Sequence, residues 1–170
     1  MEEIRIPIGL CKLIYGTQTL NNLADRAVFQ AIPKYKQLFG GKGNTTQKYL
    51  LEKYDVSMIV SLTEENYDTL KLSIPYLETY EQGFYDNPNN PNMEGKPLII
   101  HPSEAGETKE YDIVILDAIL NPEKPFVRTY DKRVDKINVH FLGRPVMRND
   151  KLSYFFIGDW DSSGVLDIDD

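Results

Sequence analysis

The side chains able to hold a transition metal or attack a substrate are few in this chain: two histidines, His101 and His140, and one cysteine, Cys11. Zinc sites are built mostly from converging Cys and His ligands, so the supply is thin. His101 precedes Pro102 at a strand end and His140 falls on the polar side of an alternating run, and both read as surface or rim residues. Cys11, set among Leu10, Leu13 and Ile14 with no His beside it, reads as a buried structural thiol. The acidic pairs Glu64/Glu65 and Glu107/Glu110 lie in polar segments where solvated charge is explanation enough. No Ser-His-Asp or Cys-His arrangement carries a local signature of nucleophilic catalysis. The chain reads as a non-enzyme without a cofactor.

Two segments imitate ligand-binding motifs. Gly40-Gly41-Lys42-Gly43 looks like a phosphate-cradling loop, but that motif needs Gly-Lys followed by Ser or Thr at the opening of a helix. Here Gly43 and Asn44 follow Lys42, and the next stretch is strand-like, so the glycines read as a flexible loop. Near the other end, Asp159, Asp161, Ser163, Asp167 and Asp170 fall at positions one, three, five, nine and twelve of a calcium-type loop, with Gly164 at six. Neither an entering nor an exiting helix is readable, Trp160 is an unusual second residue, and Asp170 stands where a bidentate Glu is usual. Residues 159–170 therefore read as an acidic tail behind one domain, 1–158, with no metal favoured.

Composition narrows the classes further. A chain of 170 residues can bury a core of its own without disulfides or metals, and a lone cysteine rules out an internal disulfide. Hydrophobic content of 41% without a long apolar run argues against a membrane span, and the start Met1-Glu2-Glu3-Ile4-Arg5 does not read as a secretory signal. A formal net charge of −7, with both signs spread along the chain, disfavours a surface that grips phosphate backbones.

The elements that must position any surface are mostly strands. Leu10 to Tyr15 and Arg26 to Ile32 read as short strands closed by Gly16 and Pro33, a hairpin-like start. From Gln47 to Leu62, Leu50, Tyr54, Val56, Met58, Val60 and Leu62 share one parity that Glu52 breaks, which predicts a long half-buried strand bent or bulged near Glu52. Thr63 is placed to cap a short helix carrying Tyr67, Leu70, Ile74 and Leu77, which Pro75 ends or kinks. Glu81 to Lys96, with Asp86-Asn87-Pro88-Asn89-Asn90-Pro91-Asn92 inside it, reads as a long loop. Strands then follow over Pro97–His101, Tyr111–Leu120 and Lys136–Leu142. With one helix among six or more strands, the fold class is mainly β: an antiparallel two-sheet β-sandwich or barrel with one flanking short α-helix.

This order resembles the tail tube (major tail) proteins of long-tailed bacteriophages. The likeness rests on the early strand with Tyr15-Gly16, the long strand leading into Thr63-Glu64-Glu65-Asn66 and a short helix, and a loop. It continues through the strands at Pro97, Tyr111 and Lys136 to the closing Phe156-Ile157-Gly158-Asp159. The resemblance implies a structural virion protein, made in the host bacterial cytoplasm, that assembles into hexameric rings stacked as the tail tube through which DNA is ejected. Its partners would be itself and other tail proteins such as the terminator, tape measure and baseplate. Double-stranded DNA would pass through the lumen without specific binding, and no membrane is involved.

On that reading Gly40, Gly41, Lys42 and Gly43, together with Asn87, Asn89, Asn90 and Asn92, are the expected inter-subunit contacts, because they have little to bury within one copy. The rivals are a terminator, neck or baseplate ring protein of the same virion, and a calcium-dependent β-sandwich binding module using Asp159, Asp161, Ser163 and Asp170.

Overall fold

Val56, Met58, Val60 and Leu62 alternate with Ser57, Ile59 and Ser61, and that period of two makes the stretch a strand with one face in the core. The computed structural model describes residues 9–20, 23–40, 45–63, 66–89, 91–130 and 136–166. In it this strand is β4, Thr45–Leu62, and it pairs antiparallel with an equally long β3, Leu23–Gly40. The first strand, β1 (Cys11–Tyr15), turns at Gly16 into the short β2 (Gln18–Leu20) and pairs on its other side with β7 (Lys96–Pro102). β8 (Ile113–Leu120) and β9 (Ile137–Gly143) complete a sheet ordered β2-β1-β7-β8-β9-β4-β3. The hairpin-like start is thus β1 with β2, while the Arg26–Ile32 run belongs to β3.

β8 is where the sheet divides. Its first half, Ile113–Ile115, pairs on one side with β7 and on the other with β12 (Phe155–Ile157). Its second half, Ala118–Leu120, pairs with β9 instead. The register against β7 slips between Leu98 and Lys96, a bulge that bends β8 at Leu116 and Asp117. There the backbone N–H of Leu116 donates to Tyr154 O at 3.1 Å, and that of Arg144 to Asp117 O at 2.8 Å. Small residues meet at the fork, since a Cβ on Gly143 would stand 2.9 Å from both Ile115 and Val56.

The two limbs face one another across the main core. Phe155 of β12 packs edge-on against Phe29 of β3 at 5.4 Å and against Tyr54 of β4 at 6.0 Å, while Tyr15 of β1 meets Phe141 of β9 at 4.9 Å. Leu13, Leu98, Ile115, Val60, Val139 and Phe141 are fully buried there. Each contributes about 1.5–3 kcal/mol by leaving water. A smaller cluster lies on the opposite face of the β7–β8 limb, where Ile99, Val114 and Leu116 pack with Val165.

The single described α-helix, α1 (Tyr67–Ser73), starts three residues later than a Thr63 cap would place it. Asn66 is its N-cap, accepting from Thr69 N at 2.9 Å while Thr69 Oγ1 accepts from Asn66 N at 2.9 Å. Asn wins over Thr63 because this reciprocal pair satisfies two free donors at once. Thr69 and Leu72 carry the buried side, Tyr67 is exposed, and the helix stops before the buried Pro75. Two small hairpins escaped the sequence reading. β5 (Leu77–Tyr80) pairs with β6 (Gly83–Asp86) inside the span read as loop, and β10 (Val146–Arg148) with β11 (Lys151–Ser153) around Asn149 and Asp150, both at positive φ.

Candidate assembly surface

β4 pairs with β9 only from Val56 to Leu62, so before Val56 the β3–β4 hairpin has no third strand among the described residues. It continues as a two-stranded arm from Ile32 to Gly40 and back from Thr45 to Asp55, roughly 30 Å long at about 3.3 Å per residue. A ribbon of two strands is marginally stable alone in water. Apolar side chains would normally be covered, yet Phe39 and Tyr49 are each 60% exposed, and Ile32, Tyr35, Leu38, Leu50 and Leu51 are exposed as well.

The arm's geometry follows from two irregularities in β4. Lys34 faces Lys53 but Tyr35 faces Leu51, so Glu52 is the extra residue of a bulge, at the position where the parity breaks in the sequence. A second slip leaves Gln47 unpaired between Lys48 and Thr46. Since β3 runs regularly from Ala27, Tyr35 and Phe39 continue the face that Ala27, Phe29 and Ala31 turn to the core. Tyr49 joins them, edge-on to Tyr35 at 6.2 Å. Ile32, Leu38 and Leu50 occupy the reverse face, so both sides of the arm are apolar. Pro33 does not end β3, which lies at the edge of its sheet among the described residues, the place where a residue without an N–H is tolerated.

Of the contact candidates, Gly40 is the last residue of β3, opposite Thr45, and Gly41, Lys42 and Gly43 lie outside the described residues. Asn87, Asn89 and Asn92 belong to a different place, the segment after β6, and Asn90 lies outside the described residues. This segment is pinned at two points: Asn87 N donates to Tyr76 O at 2.7 Å and Asn92 N to Pro75 O at 2.5 Å. Asn87 Nδ2 also donates to Glu78 Oε2 at 2.7 Å, so part of its hydrogen bonding is spent within the copy. The sequence reading chose the glycine tip and missed the apolar arm behind it. The signal was present in Leu38-Phe39 and Tyr49-Leu50-Leu51, where apolar residues fall on both parities of a polar-flanked hairpin.

The acidic end is not free over its described part. Residues 160–164 form turns and Val165 is buried against the β7–β8 limb. Asp159 accepts from Ser162 N at 3.1 Å and Ser162 Oγ at 2.6 Å, and these bonds hold its carboxyl below the usual range. Asp161 is held by Lys109, whose ammonium that hydrogen bond pushes up and which also lies over the Trp160 ring at 4.6 Å. Asp159 and Asp161 thus have separate protein partners, and Asp170 is outside the described residues. Among the described residues no three His, Cys, Asp or Glu side chains gather as a metal site.

His101 is held on both ring nitrogens. Its Nδ1 lies 2.6 Å from Asp112 Oδ1 and its Nε2 lies 2.9 Å from Gly106 O, while Trp160 Nε1 donates to Asp112 Oδ2 at 2.9 Å. Asp112, almost wholly buried, is thereby satisfied and ties the C-terminal turns to the sheet. Burial and nearby Lys124 lower the pKa of His140, and burial raises that of the Cys11 thiol, which makes a thiolate nucleophile harder to form.

These features define a class: among the described residues, an antiparallel β protein with one short α-helix, in which seven exposed large hydrophobic side chains gather on a two-stranded arm. Among the described residues no helix is long and apolar enough to cross a membrane. No family model matches the chain, and no curated protein matches it significantly.

Proposed function

We propose that the protein is a structural virion component that self-assembles into hexameric rings stacked as a phage tail tube, the conduit for DNA ejection. The observation that carries this reading is the arm: a hairpin that, before Val56, has no third strand on either edge among the described residues and has large apolar side chains on both faces. Such a surface is a liability in a monomer and is removed when copies associate. The long outer edge of β3, unpaired among the described residues, supports the same reading, since closure of a ring of copies abolishes edges. In this reading the two limbs that meet at β8 act as the two sheets of a sandwich, and the acid surplus of the chain keeps DNA sliding instead of sticking.

Electron microscopy of the purified protein across a concentration series tests it. Tubes or stacked rings are expected. Isolated single rings would favour a terminator, neck or baseplate ring protein, because a tube protein stacks head to tail without limit. A protein that stays monomeric at every concentration would sink the assembly reading.

A further inference from the structure

The chain's charge is divided unequally between arm and body. From Ile32 to Asp55 the sequence carries five lysines against Glu52 and Asp55, a net +3, which leaves −10 of the total −7 for the rest. Lys36, Lys48 and Lys53 stand exposed among the exposed apolar side chains, and Lys34 holds Asp55 at 3.0 Å. The arm is therefore both apolar and basic, and its natural counterpart is apolar and acidic.

One region of the body, helix α1 with the β5–β6 hairpin, has that character. Over residues 67–86 the sequence holds Asp68, Glu78, Glu81 and Asp86 against Lys71, a net −3. All four acids are exposed, as are Tyr67, Tyr80 and Tyr85. Tyr67 packs edge-on to Phe84 at 5.2 Å, joining α1 to the β5–β6 hairpin, and beside them lies a shallow cleft of about 160 Å³ lined by Asp68, Glu81 and Phe84 among others. Tyr80 and Tyr85 lean together at 4.9 Å on the hairpin's other side. The rival acidic stretch, Glu104 to Asp112, exposes no large apolar side chain. The exposed apolar pair Met147 and Leu152 sits beside Arg148 and Lys151, where a basic arm is repelled.

We infer that the β3–β4 arm of one copy docks on the α1 and β5–β6 region of a second copy, lysines against carboxylates and apolar side chains against the tyrosines. The contact joins two different patches, so it is heterologous and propagates from copy to copy. It deepens the assembly reading and rests on it, while making a claim about one contact that can fail separately.

Charge reversal in two chains tests it, read by sedimentation velocity for association and by electron microscopy for shape. One variant carries Lys36→Glu, Lys48→Glu and Lys53→Glu; the other carries Glu78→Lys, Glu81→Lys and Asp86→Lys. Each alone should need at least about tenfold more protein to associate, since like charges then face each other across the contact. Mixed one to one, they should associate again, and so should a chain bearing both sets, which also guards against a variant that misfolds. Wild-type association that either reversal leaves unchanged overturns the contact, as does a mixture and a combined variant that both stay apart. So does duplex DNA retained by the wild type and released by the arm reversal, which would give the arm to nucleic acid. Restored association into something other than rings or tubes would keep the contact and sink the tail-tube reading; tubes indifferent to both reversals would do the opposite.

Discussion

Gly95 lacks a side chain because Asp117 occupies the place where one would begin: an added Cβ would lie 1.5 Å from Asp117 Oδ1 and 2.6 Å from Arg144 Nη2. The Asp117 carboxylate is fixed there by a two-pronged bond to Arg144, at 2.7 and 3.1 Å, beside the β8 bulge. Gly95→Ala must push this pair apart, and a loss of about 1–3 kcal/mol in urea unfolding is expected. Tyr15 makes a second local prediction. Its hydroxyl donates to Ala118 O at 3.2 Å inside the core, and burial, followed by the nearby Glu94 and Asp117 charges, pushes its pKa from 10 up to about 12. Below pH 10 the proton is kept folded or unfolded and this contribution is whole. Between pH 10 and about 12 only the unfolded chain gives the proton up, so stability falls across that window. Unfolding free energies of the wild type and Tyr15→Phe, followed from pH 9 to pH 12, should show a steeper decline in the wild type. Residue types at this scale were legible but their partners were not. The spacing Asp159-x-Asp161-x-Ser163 is visible in the chain, whereas the claims of Ser162 and Lys109 on those carboxylates arise only from turns and tertiary approach.

At the scale of elements, β4 was the most legible. Its core parity Val56, Met58, Val60 and Leu62 is regular, and the break at Glu52 marked the bulge, since an extra residue resets alternation. β3 was legible only to Pro33, because the sequence does not announce that a strand will lie at an edge, where proline is harmless. β5–β6 and β10–β11 went unread for another reason: strands of three or four residues with exposed tyrosines, Met147 or Leu152 carry no clean alternation. The bulge invites a test of the arm. Deleting Glu52 leaves Lys53 opposite Lys34 and Leu51 opposite Tyr35 as an unbroken ladder, so pairing survives while the local bend and extra twist are lost. The expected result is a monomer with an unfolding midpoint close to the wild type and an arm aimed elsewhere. Association by sedimentation should then fall sharply; undiminished association would mean that the arm's direction is immaterial.

For the whole molecule, the separation of a basic arm from an acidic body would make the proposed association a screened interaction. Raising the salt from about 0.05 M to about 0.5 M shortens the range of charge attraction to a few ångströms, and the protein concentration needed for association should rise with it. A contact held by apolar burial alone would tighten or stay constant instead. The arm also has a place in time. Gly40 pairs with Thr45 almost at once in the sequence, whereas Cys11 of β1 waits for Pro102 of β7. Local pairings form early and distant ones late, and the N-terminal part of a chain leaves the ribosome first. Each growing polypeptide thus carries the whole of a sticky ribbon, marginally stable by itself, before the sheet that anchors it has been translated, at the moment when neighbouring ribosomes hold identical ribbons nearby. Lys36, Lys48 and Lys53 then act as gatekeepers: equal charges keep nascent ribbons from zipping to one another until the acidic surface that suits them has been made.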